Sequence, residues 1–60
     1  MTLDKIRYYI GVQLFEYWQS VTDIKVILNA KKTLSNEINA GILTGIKYNA
    51  ELELLNRLSR

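Results

Sequence analysis

Hydrophobic residues recur every three or four positions along the first half of the chain. The series is Leu3, Ile6, Ile10, Leu14, Tyr17, Val21, Ile24 and Leu28. This spacing places its members along one side of an α-helix. Thr2 is a suitable N-cap, and Asp4 in the first turn suits the positive end of the helix dipole. The pattern therefore predicts a first helix over about residues 3–28.

A second hydrophobic series occupies the other half of the chain. It runs Leu34, Ile38, Gly41, Gly45, Tyr48, Leu52 and Leu55, with steps of four and three that are typical of a coiled-coil seam. We predict a second helix over about 34–58 and a loop at about 29–33, where Asn29 and two lysines suit a helix end. Because so short a loop makes neighbouring helices antiparallel, residues 1–60 are predicted to form one all-α domain, an antiparallel two-helix hairpin.

Three alternatives to this hairpin follow from other local signals. Ser20 and Asp23 resemble a capping box, which would move the helix break to about 20–23. The stretches 8–18 and 24–28 are rich in aromatic and β-branched residues, which would suit a small ββα unit. Gly41 could also end one helix, with a third beginning near Thr44.

The predicted helices carry more apolar side chains than one hairpin can bury. A helix that is apolar nearly all round is normally buried all round, and leaving a large apolar side chain in water forfeits about 1.5–3 kcal/mol. The simplest solution is a homodimeric four-helix bundle, and the alternative is that the first helix bends over the second. The predicted interface residues are Tyr8, Tyr9, Val12, Phe15, Trp18, Gly41, Ile42, Gly45 and Ile46.

Gly41 and Gly45 are the most specific feature of this predicted interface. Each glycine costs about 1 kcal/mol relative to alanine inside a helix, so a pair on the seam indicates a packing role. Four-residue spacing would put both on one side and leave a notch that Phe15, Tyr17 or Trp18 could fill.

Composition limits both the ways in which the fold can be stabilised and the chemical reactions that the side chains can perform. The 60 residues include no Cys, His or Pro and have a formal net charge of +2. A chain this short buries only about 60% of its unfolded surface, and without disulfides or a usual metal site it needs association. No His-based triad or phosphate-binding loop is present, so we expect no cofactor, no metal and no enzymatic activity. No apolar run reaches the length of a membrane span and no signal peptide precedes the first helix, so we expect a cytoplasmic protein.

These features predict a small protein-interaction module: a regulator, inhibitor or assembly factor, in the size range of phage-like small proteins. It would act by burying an apolar helix face on itself or on a larger protein. The alternative is a nucleic-acid-binding accessory protein that uses basic helix ends. Lys25, Lys31 and Lys32, which would surround the hairpin tip, are the predicted phosphate contacts.

Overall fold

Every regular element within residues 2–60 is an α-helix. The computed structural model describes residues 2–60 and contains four helices: α1 (Leu3–Ile10), α2 (Val12–Ser20), α3 (Ile24–Asn39) and α4 (Ile46–Leu58). The predicted all-α class is confirmed. The ββα alternative is wrong, because no strand occurs in these described residues. Pairing of two hairpins into a dimeric bundle stays a prediction.

The predicted continuous helix over 3–28 is wrong, because two interruptions divide it. Gly11 separates α1 from α2 with φ +85° and ψ 150°, a conformation that is essentially restricted to glycine. Residues 21–23 separate α2 from α3, and the Asp23 carboxylate accepts a hydrogen bond from the Lys25 backbone nitrogen at 2.9 Å. The alternative break at 20–23 is therefore confirmed. Its cap is Asp23, since the Ser20 hydroxyl donates instead to the Tyr17 carbonyl.

The predicted loop at 29–33 is also wrong, because these residues lie in the middle of α3. Apolar residues at Ile27, Ala30, Leu34 and Ile38 keep helical spacing across it, and they give α3 a continuous inner side. This tertiary contact outweighs the weak turn signal of an asparagine beside two lysines.

The two glycines lie outside any helix, so the predicted helical notch is wrong. Gly41 has φ +77° and Gly45 has φ +114°. No heavy atom beyond their chain neighbours lies within 4 Å of the position that a Cβ would occupy at either residue. The alternative of a helix end near Gly41 followed by a further helix is confirmed, with α4 beginning at Ile46.

Helix α4 is the centre of the fold because other helices cover two of its sides. Ala50 and Leu54 pack with a cluster from α1 and α2, and Leu55 packs with a cluster from α3. Many of the apolar side chains that suggested a dimeric bundle are thus buried within one chain. This agrees with the alternative in which the first half of the chain bends over the second. The buried apolar residues that form the core among residues 2–60 are Ile6, Ile10, Phe15, Ile27, Leu34, Ala50, Leu54 and Leu55.

The resulting body has a Cα radius of gyration of 10.8 Å. A folded chain of this length is expected at about 10 Å, so the four helices are already collapsed on one another. None of the helices within residues 2–60 combines the length and the apolar content required to cross a bilayer.

Candidate interaction surfaces

Phe15 and Trp18, two of the predicted anchors, belong to the core of this chain. Phe15 is only 7% exposed and packs with Ile6 and Ile10. Trp18 is half-buried and contacts both apolar clusters, and its indole Nε1 donates a hydrogen bond to Glu51 Oε1 at 2.8 Å. Their predicted exposure is wrong, because the bend at Gly11 turns this side of α2 onto α4. Both side chains contribute to the apolar core of this chain.

The bend at Gly11 creates two adjoining hollows on the outside of the molecule. One is lined by Asp4, Arg7, Tyr8, Gly11 and Val12. The other is lined by Ile10, Gly11, Gln13, Leu14, Tyr17 and Lys47. Both hollows share Gly11, which carries no side chain between them. The exposed residues Asp4, Arg7, Tyr8, Val12, Tyr17 and Lys47 around Gly11 are called the elbow surface below.

The two tyrosines of the elbow surface are its most exposed aromatic groups. Tyr8 is 81% exposed and Tyr17 is 55% exposed. Each ring meets its sequence neighbour edge to face: Tyr8 lies 5.3 Å from Tyr9, and Tyr17 lies 5.1 Å from Trp18 between centroids. Such edge-to-face contacts are favourable aromatic geometries.

Sequence spacing did not identify Tyr17 as a surface residue. It belongs to the stripe that was predicted to be buried along one long helix. The break at Gly11 starts a new helix, so residues before and after it do not share one helical phase. Gly11 itself was the available signal, because it is the single glycine in the first forty residues.

Ile42 and Ile46 form a second exposed apolar pair on the connection between α3 and α4. Ile42 is 71% exposed, although its backbone nitrogen and that of Leu43 both donate to the Glu37 carbonyl. The Leu43 side chain packs into the cluster of α3 and α4. The connection is therefore held by hydrogen bonds while Ile42 points to solvent. Ile46 opens α4 directly before Lys47 of the elbow surface.

The three lysines predicted to contact phosphates do not surround a loop. They lie along α3, where seven-residue spacing puts Lys25 and Lys32 within about 20° of the same direction. Lys31 is turned about 100° away from Lys32 and is half-buried. Lys25 and Lys32 thus share an exposed face, and Lys31 lies apart from it.

Within residues 2–60, no three acidic side chains are grouped closely enough to hold a metal ion. Over the same residues, every buried side-chain nitrogen or oxygen has a hydrogen-bond partner.

Comparison with known proteins assigns no family, since the chain matches no protein-family model, no curated protein and no solved structure.

Proposed function

We propose that this protein is a small protein-interaction module, a regulator, inhibitor or assembly factor, and that its elbow surface is the docking face. The observation that carries the proposal is the exposure of Tyr8, Tyr17 and Val12 around Gly11 in a chain whose core is already closed. Side chains that complete no core contact of their own remain available to a partner.

The chemistry of the elbow surface suits a protein partner. Tyrosine is enriched in binding hot spots, because its large ring is apolar and its hydroxyl can still form a hydrogen bond. Asp4, Arg7 and Lys47 add charges around the apolar centre, which is the usual arrangement of a protein interface. Burial of these rings would be the main favourable contribution, and the charges would mainly select the partner.

A second copy of the chain is one of the partners that this proposal covers. The residues that support self-association are no longer those from which the bundle was inferred. The four-helix bundle was inferred from an excess of apolar side chains, and two of the predicted interface residues, Phe15 and Trp18, pack within one chain. Association is now supported by the elbow surface and by the exposed pair Ile42 and Ile46.

To test the docking face, we compare two variants of the chain. Tyr8→Glu changes the elbow surface, and the control Asn56→Glu adds the same charge at an exposed site on α4. Sedimentation velocity over a range of concentrations measures self-association. If a second copy is the partner, Tyr8→Glu abolishes the dimer and Asn56→Glu retains it.

If the wild-type chain is monomeric, a photo-crosslinking amino acid at position 8 tests for a larger partner in the source cell. We expect one dominant adduct from position 8, none from position 56, and competition by unlabelled wild-type chain but not by Tyr8→Glu. A monomer that gives the same adducts from both positions would remove the elbow surface as a docking face.

A further inference from the structure

One side of α3 carries an unusual stripe of polar residues that the elbow surface does not include. Lys25, Asn29, Lys32 and Asn36 follow one another in steps of four, three and four, and all are exposed. With 3.6 residues per turn they fall within an arc of about 60°. Two ammonium groups and two carboxamides therefore line one ridge, roughly 16 Å long at 1.5 Å per residue.

No acidic side chain opposes these lysines along the ridge. The segment 24–36 contains no Asp or Glu. Asp23, directly before it, accepts a hydrogen bond from the Lys25 backbone nitrogen as the N-cap of α3. Glu37 is half-buried and turned about 100° from Asn36. The ridge therefore carries two positive charges and no negative charge.

The rest of the fold leaves the ridge uncovered and holds the helix beneath it. Ile27 and Leu34 on the inner side of α3 pack with Leu55 of α4. Trp18 of α2 and Val21 of the connection join the same cluster, while Thr22 and Asp23 are exposed, so α2 and α3 are joined by a three-residue turn that packs on the core through Val21. Two helices joined by such a turn, with the second exposing a polar side, have the order of parts of a helix-turn-helix.

We propose that α3 binds duplex DNA, with its ridge in the major groove. A helix of about 10–12 Å diameter fits a groove about 12 Å wide. Lys25 and Lys32 reach phosphates, and the amides of Asn29 and Asn36 are suited to the N6 and N7 edge of adenine. The ridge covers about five base pairs at 3.4 Å each. This activity is separate from the proposed protein docking at the elbow surface.

The test measures fluorescence anisotropy of a labelled DNA duplex, titrated with the full chain between about 50 and 200 mM salt. One variant is Lys25→Gln/Lys32→Gln. The matched control, Lys5→Gln/Arg60→Gln, removes the same charge from two exposed basic residues, one on α1 and one beyond the end of α4. Circular dichroism checks that both variants keep the helical content of the wild type.

We expect the wild type to bind with a dissociation constant of about 10⁻⁴–10⁻⁶ M, and more weakly as salt rises. Loss of two phosphate contacts should lower the slope of log K against log salt by about two and weaken binding roughly tenfold at low salt. The control should change binding by less than about threefold, because Lys5 and Arg60 lie outside α3 and its ridge.

Three results would overturn the proposal. The first is no binding by the wild type at the lowest salt, and the second is an equal loss from both double variants, which would indicate general charge attraction. The third is tighter binding to the matching single strand than to the duplex. If α3 does not bind DNA, the docking proposal is unaffected, because Tyr8 lies outside the ridge. The docking proposal is tested separately, by measuring how Tyr8→Glu changes association with a protein partner.

Discussion

Single residues decide where the helices of this chain begin and end. Gly11 and Gly45 adopt φ of +85° and +114° with ψ of 150° and 166°, and each directly precedes a helix. This region of backbone conformation is almost closed to residues with a Cβ. The glycines therefore act through the backbone, and the space beside them is open.

Replacing Gly45 with L-alanine should destabilise the fold by about 1–3 kcal/mol, although no atom would collide with the new methyl group. The expected cause is the positive φ, which L-residues rarely adopt. A variant with D-alanine at the same position, made by chemical synthesis, should therefore have a free energy of unfolding within about 0.5 kcal/mol of the wild type or above it. Urea unfolding followed by circular dichroism measures both. Equal losses from the two enantiomers would indicate a steric cause instead.

At the scale of elements, α3 depends on its N-terminal cap for its start. The Asp23 carboxylate accepts from the backbone nitrogen of Lys25, while extended backbone at Asp23 stops the helix from continuing backward. Helical spacing places Ile27 and Leu34 roughly opposite Lys25 and Lys32, so the packing of the first pair with α4 leaves the second pair facing outward. The cap fixes where this helix begins, and the apolar spacing fixes which side is buried.

Asp23→Ala should lower the free energy of unfolding by about 1 kcal/mol, because the cap hydrogen bond is lost. Asp23→Asn should remain within a few tenths of the wild type, since asparagine caps as well as aspartate. Thermal and urea unfolding provide the comparison. Ser20→Ala is the control, because its hydroxyl bonds only to the Tyr17 carbonyl. A larger loss from Ser20→Ala than from Asp23→Ala would place the functional cap at Ser20.

At the scale of the whole molecule, stability depends on a small core arranged around α4. Leu54 and Leu55 are adjacent in sequence and completely buried, yet they belong to different clusters. A domain below about 70 residues rarely gains more than 3–5 kcal/mol from one core. Either leucine therefore supports a large share of the total stability.

Leu55→Ala should lower the free energy of unfolding by about 2–5 kcal/mol and move the urea midpoint strongly downward. Leu28→Ala makes the same chemical change at an exposed position on α3, and it should alter stability by no more than about 0.5 kcal/mol. Urea titration followed by the fluorescence of Trp18, the only tryptophan, reports the loss of packing. Similar midpoints for the two variants would show that α3 does not depend on α4.

Only part of the candidate surface could be predicted from the sequence. Tyr8, Val12, Ile42 and Ile46 were expected outside the core of one chain, and they are exposed. Phe15 and Trp18 were expected there as well, but the bend at Gly11 brings them onto α4. The spacing of apolar residues could not show this burial. Its interpretation assumed one uninterrupted helix, in which residues before and after Gly11 would keep fixed positions around one axis.

The sequence by itself determined the helical class, through apolar residues repeated every three or four positions and through the absence of proline. It also contained a signal for each helix break, in Gly11, Asp23, Gly41 and Gly45. The sequence did not show whether these signals or the long periodic pattern would prevail, and only the tertiary structure decided this. Shorter helices let α1, α2 and α3 cover two sides of α4, and burying that surface outweighs the hydrogen bonds lost at each interruption.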